Sequence, residues 1–240
     1  MGSALSRRRV TATVALAAVA VLAGCTQKPP PDTGVYPGTY DPPAPRSEAP
    51  RLTATEPPSA SQWPDKAVPA GQTPRLGASK VIAPGYRVDS FLSGLASRWE
   101  VPLGEQRLIE APGDRKVWHF SGKATEGPEL AIAGVPTEQG DIVSFTCLVD
   151  VGREKAAEFL EDCAATGIPG WDRGRAVAWL KTARRQVDAV YAREKGMRPA
   201  SSALYVSDGA YAFLSRAGQA KNPDGAYTLR VSGGGVAENS

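Results

Sequence analysis

Apolar and polar residues follow a regular period only from about residue 81 onward, and this part of the chain predicts packed elements. Apolar side chains recur at helical spacing over residues 88–100, which predicts a helix that Pro102 and Gly104 stop. Turn residues then separate three short runs with strand character. These runs cover residues 116–123, 129–135 and 141–151. Their close spacing predicts an antiparallel meander.

The third run has the clearest alternation of apolar and polar side chains. Val143, Phe145 and Cys147 are separated by Ser144 and Thr146. Because successive side chains of a strand point to opposite faces, we expect Val143, Phe145 and Cys147 to share the face that packs on the core.

The second half of the chain predicts two more helices and three more strands. The helices cover residues 153–166 and 172–196, and Asp172 is a suitable N-cap for the second. The strands cover residues 203–206, 211–215 and 227–231. The order α-βββ-αα-βββ predicts an α+β fold, with an antiparallel or mixed sheet of about five to six strands and helices packed on one face.

Composition divides the chain into four parts. Residues 26–80 contain 13 of the 21 prolines and no sustained apolar period, which is typical of a disordered, partly extended tether. The last residues are rich in glycine and have nothing to pack against. We expect a signal segment (1–24), Cys25 with its tether (25–80), one α+β domain (81–232) and a disordered tail (233–240).

The first 25 residues have the layout of a secretory signal. Arg7, Arg8 and Arg9 precede a 13-residue apolar run over residues 10–22, and Ala23-Gly24-Cys25 follows. Leu-Ala-Gly-Cys at this place resembles the lipobox of bacterial lipoproteins. The resemblance implies a diacylglycerol on the Cys25 thiol, cleavage before Cys25 and acylation of the new amine. It therefore predicts a membrane partner and a lipid-anchored location on the extracytoplasmic face. The Arg-, Ala- and Gly-rich composition is typical of a high-GC genome such as an actinobacterial one.

Two other interpretations of the amino terminus explain less. A membrane-spanning helix needs about 20 apolar residues, more than this run provides. Residues 1–6 match the pattern for N-myristoylation, which would leave the apolar run and Cys25 without a purpose. Residues 6–10 partly match a twin-arginine signal, so the export route stays open between the general and the twin-arginine pathways.

Removal of the signal segment changes the charge of the chain. The whole chain has 28 basic and 25 acidic residues, and the three signal arginines account for the excess. The remaining 25 basic and 25 acidic residues balance, so the basic isoelectric point is no argument for a nucleic-acid partner.

Cys147 and Cys163 are the two cysteines outside the lipobox. They fall on the core-facing sides of neighbouring predicted elements, and an exported protein matures in an oxidising compartment. A structural disulfide is the interpretation we favour. Two buried free thiols and a redox-active pair remain alternatives, the latter usually having closer spacing.

Catalytic motifs are missing from the sequence. His119 is the single histidine, it lies among aromatic residues of a predicted strand, and no Gly-X-Ser-X-Gly elbow supplies a nucleophile for it. With one histidine and three cysteines, the chain has too few of these residues for a metal site built from several His or Cys ligands. No cofactor motif occurs in the sequence. Carboxylates near strand ends could serve a glycosidase, but spacing selects no pair among them. They are Glu126, Glu129, Glu138, Asp141 and Asp150.

The second of the paired helices is rich in basic residues. A basic face outside the membrane would suit an anionic lipid headgroup or a cell-wall polymer. An ordinary solvated helix face is the simpler interpretation. The candidate residues are Arg173, Arg175, Lys181, Arg184, Arg185 and Arg193.

Together these patterns predict a lipid-anchored, non-catalytic binding or interaction module, with a cell-wall polymer, a small molecule or another envelope protein as its ligand. The alternatives are a wall-active hydrolase that uses a carboxylate pair and an accessory subunit of a membrane complex.

Overall fold

The computed structural model describes residues 62–73, 79–111, 115–207, 209–219 and 222–234. The predicted signal segment, the lipobox with Cys25, most of the predicted tether and the tail from residue 235 onward lie outside these residues.

One antiparallel sheet organises the described part of the chain. Its strands lie in the order β1-β6-β8-β9-β5-β4-β3-β2, and β7 also pairs with β8. The strands are β1 (Val68–Pro69), β2 (Arg107–Ala111), β3 (Arg115–Lys123), β4 (Leu130–Pro136), β5 (Ile142–Asp150), β6 (Ala200–Ser201), β7 (Tyr205–Ser207), β8 (Ala210–Gln219) and β9 (Asn222–Gly233).

Within the described residues, four α-helices cover one face of this sheet. They are α1 (Val88–Phe91), α2 (Ser93–Arg98), α3 (Ala156–Ala164) and α4 (Arg173–Arg193). Phe91 of α1 packs edge-on against Phe145 of β5, at 5.9 Å between ring centroids. On α4, Asp188 accepts a hydrogen bond from the Tyr227 hydroxyl of β9 at 2.7 Å. The core therefore lies between the helices and the face of the sheet that carries Phe145 and Tyr227.

The α+β class and the antiparallel sheet are confirmed, but the predicted strand number is too low and the element order agrees only in part. In the part of the chain that the structure describes, the sheet has nine strands, and the three unpredicted ones are β1, β2 and β6. β1 and β6 have two residues each, too few for a periodic pattern. β2 lies at the sheet edge and exposes much of its apolar content, with Leu108 48% exposed.

The predicted first helix is interrupted. Leu92 separates α1 from α2, although its side chain is fully buried. The hydroxyls of Ser90 and Ser93 donate to backbone carbonyls three residues earlier, at 3.3 and 3.5 Å. Such bonds compete with regular helical geometry, and Gly94 adds a second poor helix former.

The register of β5 differs from the prediction at one residue. Phe145 and Cys147 are fully buried as expected, but a bulge in the β4–β5 pairing puts Ile142 in the core instead of Val143. One extra residue in a strand turns the residues before it to the opposite face of the sheet. Val143 is therefore only half-buried.

Residues 62–73 pack on the sheet, although their composition placed them in the tether. Trp63 is 8% exposed, its ring lies 5.4 Å from that of Phe213, and its indole N–H donates to the Ser202 carbonyl at 2.9 Å. β1 pairs with β6, and the Ala70 amide donates to the Pro199 carbonyl at 2.8 Å. We call residues 62–73 the strap. The packed part of the chain thus begins earlier than residue 81.

The described residues include no helix with the length and apolar character needed to span a bilayer.

Candidate functional site

A cleft of about 700 Å³ lies beside α2. It lies between α1–α2, the segment that follows α2, and the turn between β4 and β5. Its apolar lining consists of Val88, Ala96, Val101, Pro102 and Leu103. Its polar lining includes Arg87, Asp89, Glu100, Glu105 and Gln106.

Backbone pairing fixes the first wall of the cleft to the sheet. The Ile82 amide donates to the Ile142 carbonyl, and the Ile142 amide donates to the Tyr86 carbonyl, both at 2.8 Å. The Val88 amide then reaches the Gly140 carbonyl at 3.2 Å. The chain that enters α1 is therefore held against the start of β5.

The Tyr86 side chain connects the same wall to the segment between α3 and α4. Its hydroxyl donates a hydrogen bond to the Gly167 carbonyl, between α3 and α4. Burial raises the pKa of Tyr86 to about 12, against the opposing effect of the Arg173 guanidinium. The hydroxyl therefore keeps its proton, and the hydrogen bond that depends on it, under ordinary conditions.

The second wall begins at the end of α2. The Val101 amide donates to the Ala96 carbonyl at 2.9 Å and the Glu100 amide to the Ser97 carbonyl at 3.3 Å, which is a Schellman motif. In this motif the residue at the position of Glu100 is left-handed, and Glu100 has φ 53°. Glycine is the residue that usually occupies this position.

A close backbone contact positions the rest of this wall. Leu103 pairs with Gly122 of β3, and the Gly104 amide donates to the Ser121 carbonyl at 2.9 Å. A Cβ at Gly122 would lie 2.4 Å from the Pro102 carbonyl oxygen. Only glycine at residue 122 allows the wall to approach the sheet this closely.

Gln106 closes the cleft at the β4–β5 turn. Its side-chain amide donates to the Thr137 and Glu138 carbonyls, at 3.0 and 3.2 Å. Gly140 in this turn has φ 92°, and a Cβ there would lie 3.3 Å from the Arg87 guanidinium and 3.7 Å from the side-chain oxygen of Gln106. The side chains of Arg87 and Gln106 therefore both lie close to Gly140.

The polar rim of the cleft carries more negative than positive charge. Arg87 lies 3.5 Å from Asp89, and both side chains are exposed. Among the described residues, no cation lies within 4.0 Å of the carboxylate of Glu100 or Glu105. Both of these side chains are exposed on the rim. The arrangement combines an apolar floor with two carboxylates that lack a counter-charge.

No protein-family model, curated protein or solved structure matches this chain.

The carboxylates singled out in the sequence do not line the cleft. Asp150 accepts the Glu129 amide at 2.8 Å, and Glu129 pairs with Lys123 at 3.4 Å, so these two are part of the sheet structure. Glu138 contributes only its carbonyl to Gln106. Asp141 pairs with Arg87 through the backbone.

His119 lies on β3, opposite Arg107 of β2. Burial lowers the pKa of its imidazole, and the Arg107 guanidinium lowers it further. Its Nδ1 atom is buried and has no hydrogen-bond partner among the described residues. His119 does not line the cleft.

The six candidate basic residues of α4 do not all lie on one face of the helix. Arg184 and Arg193 are nine positions apart and, at about 100° per residue, point to opposite sides of the helix. Lys181 pairs with Glu161 of α3 at 3.4 Å. Arg173, Arg175 and Arg185 are exposed. The predicted N-cap is confirmed, since Asp172 accepts the Arg175 amide at 2.9 Å.

Cys147 and Cys163 lie at disulfide-bonding distance, with their Cα atoms 6.5 Å apart. Both are fully buried and join β5 to α3. The described residues contain no cluster of three or more His, Cys, Asp or Glu side chains suited to a metal ion.

Sequence reasoning missed the cleft itself. Pro102 and Gly104 were interpreted only as helix stops, and Glu100 only as the end of the helix. The sequence feature that could have indicated the cleft is the segment 100–106, Glu-Val-Pro-Leu-Gly-Glu-Gln. It mixes apolar and acidic residues directly after a helix.

Proposed function

We propose that this chain is a lipid-anchored, extracytoplasmic binding module that takes up its ligand in the cleft beside α2. The anchor rests on the lipobox-like sequence at Cys25, and the binding role rests on the cleft. The module acts by holding a ligand and not by converting it.

The observation that carries the proposal is the combination of volume and lining in the cleft. Pockets for small molecules usually enclose about 300–1,000 Å³, with a mostly apolar lining and a few polar groups. The cleft has about 700 Å³, an apolar floor centred on Val101 and Leu103, and polar groups on its rim. Its walls are held by backbone hydrogen bonds to the sheet, so the site is pre-formed.

Native mass spectrometry tests this proposal with the mature chain carrying Cys25→Ser, so that it stays in solution. The protein is incubated with the small-molecule fraction of envelope extract, and the bound mass is measured. Ser97→Trp places an indole ring in the cleft from an exposed position on its lining. Ala178→Trp is the matched control, because Ala178 is exposed on α4 and does not line the cleft.

We expect a bound molecule on the parent chain and on Ala178→Trp, and none on Ser97→Trp. Binding that survives Ser97→Trp would place the ligand elsewhere, and the absence of any bound molecule from all three proteins would reject the proposal.

A wall-active hydrolase is the second candidate, because Glu100 and Glu105 both line the cleft. A carboxylate pair on one cleft is the arrangement that glycosidases use. Release of soluble fragments from purified wall polymer, lost in Glu100→Gln and Glu105→Gln but retained in Glu158→Gln, would favour this candidate. Glu158 is exposed on α3 and does not line the cleft.

A further inference from the structure

The charge of the cleft indicates the chemistry of its ligand. Three carboxylates and one guanidinium line it, and that guanidinium, on Arg87, already lies beside Asp89. Glu100 and Glu105 are left without a cation within 4.0 Å among the described residues. A ligand that enters the cleft therefore meets uncompensated negative charge at the rim.

We infer that the ligand of this cleft is an organic cation with an apolar body. This inference rests on the proposed function and adds the ligand class to it. The apolar body lies on the floor formed by Val101, Pro102 and Leu103, and the cationic group meets Glu100 and Glu105 at the rim.

The backbone at Glu100 supports this placement of charge. A left-handed position at a helix end is normally glycine, because a side chain is strained there. This chain has an exposed glutamate at φ 53°. Glu100 also borders a smaller cavity lined by Arg98, Arg153 and Lys155, but none of these cations lies within 4.0 Å of its carboxylate, and Arg98 pairs with Asp162.

An anionic or neutral ligand fits the cleft less well. An anion would face two unpaired carboxylates, and the guanidinium that could receive it is shared with Asp89. A neutral apolar molecule would use the floor but leave the carboxylates unpaired. Exposed ion pairs are individually weak, so the floor should supply affinity and the rim should supply selectivity.

Isothermal titration with three amphiphiles of equal chain length tests the inference on the mature chain with Cys25→Ser. The probes are decyltrimethylammonium, decyl sulfate and decyl maltoside, each below its micelle concentration. A series of shorter alkyltrimethylammonium ions measures the contribution of the floor. Each methylene that enters an apolar site should change the affinity about fourfold.

We expect decyltrimethylammonium to bind at least tenfold more tightly than decyl sulfate, and to bind more weakly as salt is added. Glu105→Gln and Glu100→Gln should each weaken the cation about two- to fivefold and leave decyl maltoside unchanged. Glu158→Gln removes one negative charge outside the cleft and should change neither. Ser97→Trp should abolish binding of all three probes.

The outcomes distinguish failure of this inference from failure of the proposed binding function. Equal binding of the three probes, all lost in Ser97→Trp, would overturn the cation selectivity and leave the binding module standing. Tighter binding of decyl sulfate would also overturn it. If no probe binds, and no Ser97→Trp-sensitive molecule is found in envelope extract, both the inference and the proposed function fail.

Discussion

At the scale of single residues, Glu100 shows a conflict between stability and the role we assign to it. It is the left-handed residue of the Schellman motif that ends α2. A non-glycine residue costs free energy in this conformation, and such strain is often found at functional sites. If its carboxylate selects the ligand, the strain is retained for binding.

Replacing Glu100 with glycine should therefore improve folding and impair binding. We expect Glu100→Gly to raise the free energy of unfolding by about 0.5–1 kcal/mol in urea titrations, because glycine relieves the strain at positive φ. Decyltrimethylammonium should bind about two- to fivefold more weakly. Destabilisation by this change, or unchanged affinity, would contradict the role of the residue.

His119 provides a separate test of the buried environment on β3. Burial, with Arg107 as a second cause, lowers the pKa of its imidazole from 6.5, so the folded state favours the neutral ring. The unfolded chain then binds the proton more readily, and stability should fall as the pH drops below about 6.5. His119→Phe should remove this part of the pH dependence.

Nuclear magnetic resonance measures this pKa directly, since the chain has a single histidine. We expect a titration midpoint below 6.5, and a midpoint at or above 6.5 would contradict the lowering of this pKa by burial and Arg107.

At the scale of elements, the Cys147–Cys163 pair joins β5 to α3 across the core. With a sequence separation of 16, a disulfide here should stabilise the fold by about 3 kcal/mol, mainly by restricting the unfolded chain. We expect reduction, or replacement of both cysteines by alanine, to lower the free energy of unfolding by about this amount.

Two observations check the disulfide. A thiol assay on the denatured, unreduced protein should find no free thiol at either cysteine. A urea midpoint that does not change on reduction would contradict the predicted stabilisation.

Long elements were predictable from the sequence because each carries its own pattern. The apolar stripe of α4 and its Asp172 cap are local features, and β5 carries a pattern of alternating buried and half-buried side chains. β1 and β6 could not be predicted, since two-residue strands exist only through the partner they pair with. The cleft depends on the contact of Pro102 with Gly122, which no spacing in the sequence reveals.

At the scale of the whole molecule, the strap and the cleft lie on different parts of the sheet. The strap pairs at the β1 edge, and the cleft lies by the turn between β4 and β5, about four to five strand spacings away. At roughly 4.8 Å per spacing this is about 20–24 Å.

The strap should contribute to the stability of the domain through Trp63. We expect Trp63→Ala to lower the free energy of unfolding by about 3 kcal/mol. This is the lower end of the usual range for such a change, because the strap lies at the sheet edge. Trp63→Phe keeps a ring against Phe213 and loses the bond to the Ser202 carbonyl, so it should cost about 1 kcal/mol. Urea titration measures both, and an unchanged midpoint for Trp63→Ala would mean that the strap does not belong to the folded unit.

The central claim, that the cleft holds a small ligand, is tested most directly in intact cells. A photoreactive residue is placed at Ser97 in the cleft or at Ala178 on the exposed side of α4, and the mass of the irradiated protein is measured. We predict a defined small-molecule adduct at residue 97 that is absent at residue 178 and is reduced by Glu105→Gln. No adduct at residue 97, or the same adducts at both positions, would contradict the account.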